Sequence, residues 1–475
     1  MAAAALVLAA AATMGVGVAG ASAAQTPPAS SRRPPMGWRS WNLFELKVSQ
    51  PLLEGQIDGL ARRRHSVNGT PTSLLDLGYS SIGLDDGWQN CGGGVNKTYH
   101  AADGTPLVNL TLFPDMHAMV AKGHAAGVQM GWYANNCWCN ENTHPFALPY
   151  YEGNAKALVG YGFDAIKVDS CGPATNITSW REALDAASAA AGRPRVQLEN
   201  CRNFKYTANL TSTAECAADL FRSTEDNAPD FLSIMANSVM NDLPPGSNGN
   251  GWGGLPVSHP ECWSYPDMLE TIGSGQCRTD LANGTCGYAS PARRSGGLSL
   301  NESKAHFSAW CVVSSPLVLG HDLADNETYD AAWPVISNPE AIRVDQMYDG
   351  DAGRLIASAT EKMTGLTLYH GAGCECVWPG QVLPRWTVWA KRLSSGEAAA
   401  LAINLSDETL PAGTISIDAA KIFGQGDTDA GSVAFTRERD LWERRDAPWS
   451  GADVRAEWAV PELAPRSSYF TTLHK

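Results

Sequence analysis

Ala165-Ile-Lys-Val-Asp-Ser-Cys171 is a short apolar run that ends in chemically reactive side chains, and the rest of the chain is read outward from it. Lys167 and Asp169 stand two apart, so on a strand they project to the same side. A lysine beside a carboxylate favours the ionised form, as a nucleophile requires; an interior ion pair is the competing reading. The pattern recurs on both sides. Apolar runs at 79–84, 128–133, 163–168, 196–198 and 316–319 alternate with helix-like segments such as 152–160 and 179–191, which points to parallel βα units. The runs end in Asp85-Asp86-Gly87-Trp88, Ala134-Asn135-Asn136, Asp169-Ser170-Cys171 and Glu199-Asn200-Cys201. Reactive groups at the carboxyl ends of successive strands are expected of a (β/α)8 barrel, whose loops on that face converge on one pit.

Beyond about residue 355 the pattern changes to period-two strands separated by Gly, Pro, Ser and Asp, at 366–370, 385–393, 398–405, 414–418 and 468–473. The expected architecture is therefore a barrel over 36–355 followed by a C-terminal antiparallel β-sandwich over 356–475. Residues 1–24 are almost all Ala, Val, Leu, Met and Gly and end in Ala-Ser-Ala-Ala, which reads as a secretory signal peptide, with a Pro/Ser linker at 25–35. Secretion agrees with an even count of 12 cysteines and with Asn-X-Ser/Thr sequons at Asn68, Asn96, Asn109, Asn176, Asn209, Asn283, Asn301, Asn326 and Asn404.

Composition narrows the function classes. At 475 residues and 44% hydrophobic the chain can bury a large core, which excludes disorder. A net charge of −14, with one dense basic cluster at Arg62-Arg63-Arg64-His65, argues against nucleic-acid binding. No segment after the leader is long and apolar enough to span a bilayer, and the Cys and His spacings form no zinc set. Phe221-Arg-Ser-Thr-Glu-Asp226 supplies a second acidic cluster, with Arg222 four residues before Asp226. Two carboxylates from different strands of one barrel are the minimum equipment for glycoside hydrolysis. Asp85 and Asp86 can both reach a ligand if the chain turns at Gly87; a solvated turn beside a core Trp88 is the plainer alternative. Trp38 and Trp41 offer stacking faces for a sugar ring.

Taken in order, these segments resemble the family 27 glycoside hydrolases, the α-galactosidase and α-N-acetylgalactosaminidase group. The resemblance is carried by Met36-Gly-Trp-Arg-Ser-Trp-Asn42, Gly83-Leu-Asp-Asp-Gly-Trp88, Leu112-Phe-Pro-Asp115, Gly131-Trp-Tyr133, Ile166-Lys-Val-Asp169, Arg222 through Asp226, Tyr265-Pro-Asp-Met-Leu269 and His306-Phe-Ser-Ala-Trp-Cys311. It implies a barrel followed by a β domain, and a retaining exo-α-galactosidase acting on oligosaccharides or glycoconjugates with terminal α-galactose. Its alternatives are an α-N-acetylgalactosaminidase, a β-L-arabinopyranosidase or a catalytically silent galactose-binding protein.

Residue by residue, the resemblance makes Asp169 the nucleophile and Asp226 the acid/base. Asp85 and Asp86 would hold the 4- and 6-hydroxyls, Lys167 and Arg222 would donate to ring hydroxyls, and Trp41 and Tyr133 would form an aromatic wall. Glu199 would lie near the 2-position, and Asp267 fits the motif before Met-Leu. The resemblance pairs Cys171 with Cys137 or Cys139 and makes Cys201 with Cys216 a second candidate bridge. It implies no metal or organic cofactor, a destination outside the cell or in a vacuole or lysosome, and monomers, homodimers or tetramers. The chain departs from the family pattern at Asn200-Cys-Arg-Asn203, in an expanded segment at 248–262, and at Tyr265, where an aromatic replaces one carboxylate expected at the rim.

Overall fold

The structure, a computed structural model, describes residues 33–475 apart from 138, 142–147, 170–171, 173, 175, 202–216, 225, 243–257, 261, 272–296, 367, 369–381, 425–432 and 449–452. The leader and most of the linker lie outside the described residues. Strands β1 (Met36–Arg39), β2 (Ser81–Gly83), β3 (Gln129–Ala134), β4 (Ala165–Asp169), β5 (Gln197–Cys201), β6 (Leu220–Arg222), β7 (Trp263–Tyr265) and β8 (Leu317–Leu319) form one sheet in the order β8-β1-β2-β3-β4-β5-β6-β7. Every neighbouring pair is parallel. A parallel bridge between Leu269, just past β7, and Leu319 of β8 closes the sheet into a barrel, with Leu269 N donating to Val318 O at 2.7 Å.

Period-two alternation places the site. In β4, Ile166 and Val168 join the apolar core, leaving Lys167 and Asp169 on the opposite face of the strand. The helices are set by local chemistry: Asp115, Asn176, Asp325 and Asn338 each cap a helix by accepting a backbone N–H. In the helix Ile177–Ala190 the buried Ile177, Trp180, Ala183, Leu184 and Ser188 recur at helical spacing, the stripe that packs inward. Helix Leu300–Val312 opens with a capping box between Ser299 and Glu302, and Ala305 through Val312 are all buried. A helix buried all round needs partners on every side, and this one lies between the barrel and the C-terminal sheet.

That sheet has six strands, β9 (Arg354–Ser358), β10 (Trp386–Ser394), β11 (Glu397–Asn404), β12 (Arg437–Asp440), β13 (Arg445–Asp446) and β14 (Ser468–His474), in the antiparallel order β9-β10-β11-β14-β12-β13. Strand β11 is buried on both faces. Ala399, Leu401 and Ile403 share the core that contains Phe307 and Trp310 of Leu300–Val312, whereas Ala398, Ala400 and Ala402 pack with Ile417, Phe423 and Trp458 in a second core. Ile417 and Trp458 come from the two-stranded sheet Ser416–Asp418 with Glu457–Ala459, the outer layer of the sandwich. Four residues, Ala419–Ile422, form a short helix where the sequence pattern suggested strands and turns alone.

The basic cluster is neutralised locally: Arg63 grips Asp76 and Arg64 grips Asp330 through two hydrogen bonds each. Two cysteine expectations are corrected. Cys139 is bridged to Cys91, not Cys171; the β3 loop brings these two Cα atoms to 5.0 Å, inside disulfide range. Cys137 is also disulfide-bonded. Cys201 is a thiol whose sulfur receives Arg222 Nη1 at 3.6 Å rather than half of a bridge; Cys171 and Cys216 lie outside the described residues. Among the described residues no helix is long and apolar enough to cross a membrane.

Candidate active site

The carboxyl ends of the barrel strands bring together nearly every residue singled out above. Gly87 makes the turn after β2 at φ +105°, where a Cβ would stand 2.8 Å from Leu46 O. The turn sends Trp88 into the core, where its Nε1 donates to Tyr133 O at 3.1 Å, and leaves Asp85 and Asp86 on the site side. Trp88 is in the core as the plainer reading had it, but the turn is not solvated: Asp85 and Asp86 are both buried.

Lys167 pairs with Asp85, not with Asp169: Nζ lies 2.9 Å from Asp85 Oδ2. Burial opposes the lysine's charge, but Asp85 holds its pKa above the ordinary value. Asp169 instead receives the hydroxyl of Tyr133 at 2.6 Å on Oδ2, a charge-assisted bond that orients the carboxylate. Tyr133 is therefore more than a wall. Its ring lies 5.2 Å below Lys167 Nζ, and Asn135 Nδ2 donates to its oxygen at 3.1 Å and to Asp86 Oδ2 at 3.0 Å. Asn135 is in turn fixed through its carbonyl oxygen, which accepts from Tyr99 and Tyr150 at 2.5 and 2.6 Å.

A second cluster centres on Arg222, which is 2% exposed. Its Nη2 lies 2.9 Å from Asp226 Oδ1 and its Nη1 2.9 Å from Asp267 Oδ1. Asp267 sits at φ +115°, strained for a non-glycine residue. Three hydrogen bonds hold that turn: Asn227 N to its Oδ2 at 2.6 Å, Trp310 Nε1 to its carbonyl at 2.7 Å, and Asn227 Nδ2 to Met268 O at 2.8 Å. Burial raises the Asp267 carboxyl to about 6, Arg222 pulling it down and Asp226 pushing it up.

One sequence expectation changes place. Tyr265 is not at the rim: it is fully buried at the end of β7, with Arg222 5.9 Å from its ring centre and a hydroxyl that has no hydrogen-bond partner among the described residues. Glu199 does not stand alone. Arg39, at the end of β1, grips its two oxygens at 2.7 and 2.5 Å and holds Nε 3.8 Å from Asp85 Oδ2. Sequence reasoning gave no role to Arg39 or Asn135, although the signal that flagged Asp85 and Asp169, a polar group at the carboxyl end of a strand, marks both. Trp41 is half-buried against the apolar cluster of Tyr265 and Met268. Of the departures, Asn200 is fully buried; 202–203 and 248–257 lie outside the described residues.

Asp86 has a pH consequence. Burial, then the charges of Asp85 and Asp169, raise its carboxyl to about 7 against hydrogen bonds from Gln89 and Gly87 that lower it. Between about pH 4 and that value the folded chain keeps a proton that the unfolded chain has released, so this group's contribution to stability falls as pH rises. Asp86→Asn removes that slope. Its urea midpoint, relative to the parent, is expected to rise from about pH 5 to about pH 8; a constant difference across the range refutes the assignment.

The chain and its fold find counterparts among known proteins. The Melibiase_2 family, described as alpha galactosidase A, matches residues 33–282. Among curated relatives, an alpha-galactosidase of Cyamopsis tetragonoloba is 25% identical over 431 residues, 89% of this chain and 83% of its own. Alpha-galactosidase mel1 of Schizosaccharomyces pombe is 23% identical over 388 residues, 79% of either chain. The fold resembles that of alpha-galactosidase I from Mortierella vinacea, with a TM-score of 0.61 at 19% identity over 93% of this chain and 96% of that one. It also resembles a β-L-arabinopyranosidase from Geobacillus stearothermophilus, with a TM-score of 0.65 at 18% identity over 94% and 97%. With the motifs in order and the family match spanning most of the barrel, the chain belongs to the alpha galactosidase A family of glycoside hydrolases, family 27.

Proposed function

We propose that this chain is an exported, exo-acting α-galactosidase that works with retention of configuration. The observation that carries the reading is a contrast in exposure. Asp169 and Asp226 keep partial access to solvent, while Asp85, Asp86, Lys167, Glu199, Arg222 and Asp267 around them are buried and, through the contacts above, held in place. Two accessible carboxylates on one barrel face, oriented by Tyr133 and Arg222, suit a double displacement. Asp169 attacks the anomeric carbon as the glycosidic bond breaks and Asp226 gives its proton to the leaving oxygen. Asp226 then takes a proton from water, whose oxygen displaces Asp169 and releases galactose. The buried Asp85, Asp86 and Lys167 would read the 4- and 6-hydroxyls, with Glu199 and Arg222 toward the 2-position. Export fits the exposed sequon asparagines Asn68, Asn96, Asn176, Asn301 and Asn326. Asn404 is excluded as a glycan site because its buried amide donates to Glu408 O and Ala464 O.

The test is hydrolysis of matched 4-nitrophenyl glycosides with the released anomer followed by NMR. The α-galactoside is expected to be cleaved in preference to the α-N-acetylgalactosaminide and the β-L-arabinopyranoside, and α-galactose is expected to appear first. Preference for either other sugar reassigns the substrate, and β-galactose as first product removes the covalent mechanism.

A further inference from the structure

We propose that Arg39 is a positioning residue of the sugar pocket, a cation laid in the barrel interior that holds Glu199 through its fork and sets the charge around Asp85. This rests on the α-galactosidase reading. The register shows how the chain makes room for it. Arg39 of β1 pairs with Gly83 of β2, Gly83 with Gly131 of β3, and Gly131 with Ala165 of β4. Three successive strands thus present almost no side chain at the level where the guanidinium crosses. A Cβ on Gly83 would stand 3.1 Å from Arg39 Nε and 3.5 Å from its Cγ, so the glycine leaves the space in which the arginine stem lies.

At its far end the planar fork meets both oxygens of Glu199, the bidentate geometry that a lysine cannot reproduce. Midway, Nε approaches the same Asp85 oxygen that Lys167 holds. Arg39, Lys167, Asp85 and Glu199 thereby form a charge-balanced layer. Burial opposes charge on Arg39, yet Glu199 above all keeps its pKa raised. The barrel interior here is polar: Glu199 takes its orientation from Arg39, while Asp85, hydrogen-bonded to Lys167, feels the same guanidinium at 3.8 Å.

Comparing Glu199→Gln with Arg39→Met/Glu199→Gln isolates Arg39, because both proteins lack the carboxylate that would otherwise be left buried without a counter-charge. The expected result is a KM for 4-nitrophenyl α-galactoside and a Ki for galactose raised about tenfold or more by the added Arg39→Met, with kcat changed less than about threefold and near-ultraviolet circular dichroism unchanged. Arg39→Lys, with the charge but not the fork, is expected to fall between parent and Arg39→Met in KM. Equal KM and Ki in the Glu199→Gln and double variants would overturn the proposal and leave Arg39 a purely structural ion pair. A parent protein that hydrolyses no α-galactoside and binds no galactose overturns the functional reading itself, and this role with it.

Discussion

Asp169→Asn loses turnover of an α-galactoside by on the order of 10⁴-fold or more, while remaining folded and able to bind galactose. The amide has the shape of the carboxylate and still offers an oxygen to the Tyr133 hydroxyl, the contact at 2.6 Å, so the change in stability is expected to stay within about 1 kcal/mol. What disappears is the negative oxygen that would attack the anomeric carbon. Asp169→Gly carries the point further: azide admitted to the vacated space is expected to restore bond cleavage and to give the β-galactosyl azide, since a single displacement inverts the centre. Activity near the parental rate in Asp169→Asn would end the assignment.

The second large effect falls on folding. Arg222→Met removes the guanidinium that bridges Asp226 and Asp267 and leaves Asp267 buried, at 3% exposure, beside another carboxylate. Breaking a buried pair on one side costs about 3–5 kcal/mol, seen as a lower urea midpoint at neutral pH. The sign with pH follows from Asp267. The arginine stabilises its charged form, so the parent's advantage is largest well above pH 6 and shrinks as pH falls toward about 6, below which the carboxyl carries its proton in both proteins. Arg222→Lys is expected to recover little, because one ammonium cannot serve two carboxylates with fork geometry. Asp267→Asn in the Arg222→Met background is expected to recover much of the midpoint. A deficit that grows on acidification contradicts this account.

Much of this architecture was legible in the chain because its strands are amphipathic at short range. In β4 the alternation of Ile166, Lys167, Val168 and Asp169 announces both a strand and a reactive face. Strands β6 and β7 fall outside the apolar runs: each is three residues long with a polar residue among them, Arg222 and Ser264. In the site, acidic residues at strand ends were visible one at a time, but their partners were not. Arg39 meets Glu199 across 160 positions of sequence, and its place at the end of a strand marks it as a candidate without naming that partner. The displacement of Tyr265 from rim to interior has the same origin: only closure of β7 against β8 decides what its ring packs on. Cysteine pairing is equally non-local, and Cys91 was joined to no partner until the loops after β2 and β3 stood side by side.

Helix Leu300–Val312 makes the two architectural units one in a further sense. Trp310 Nε1 holds the carbonyl of the strained Asp267, while Phe307 and Trp310 share a core with Leu401 and Phe470 of the C-terminal sheet. The β domain is thus the far abutment of an arch whose keystone carries a carboxylate of the candidate site. Evolution could ornament that outer layer, but it could not trade the domain for an unrelated module without recasting the helix. The boundary drawn near residue 355 separates two patterns of secondary structure; it does not mark a line along which the molecule could be divided and keep its chemistry.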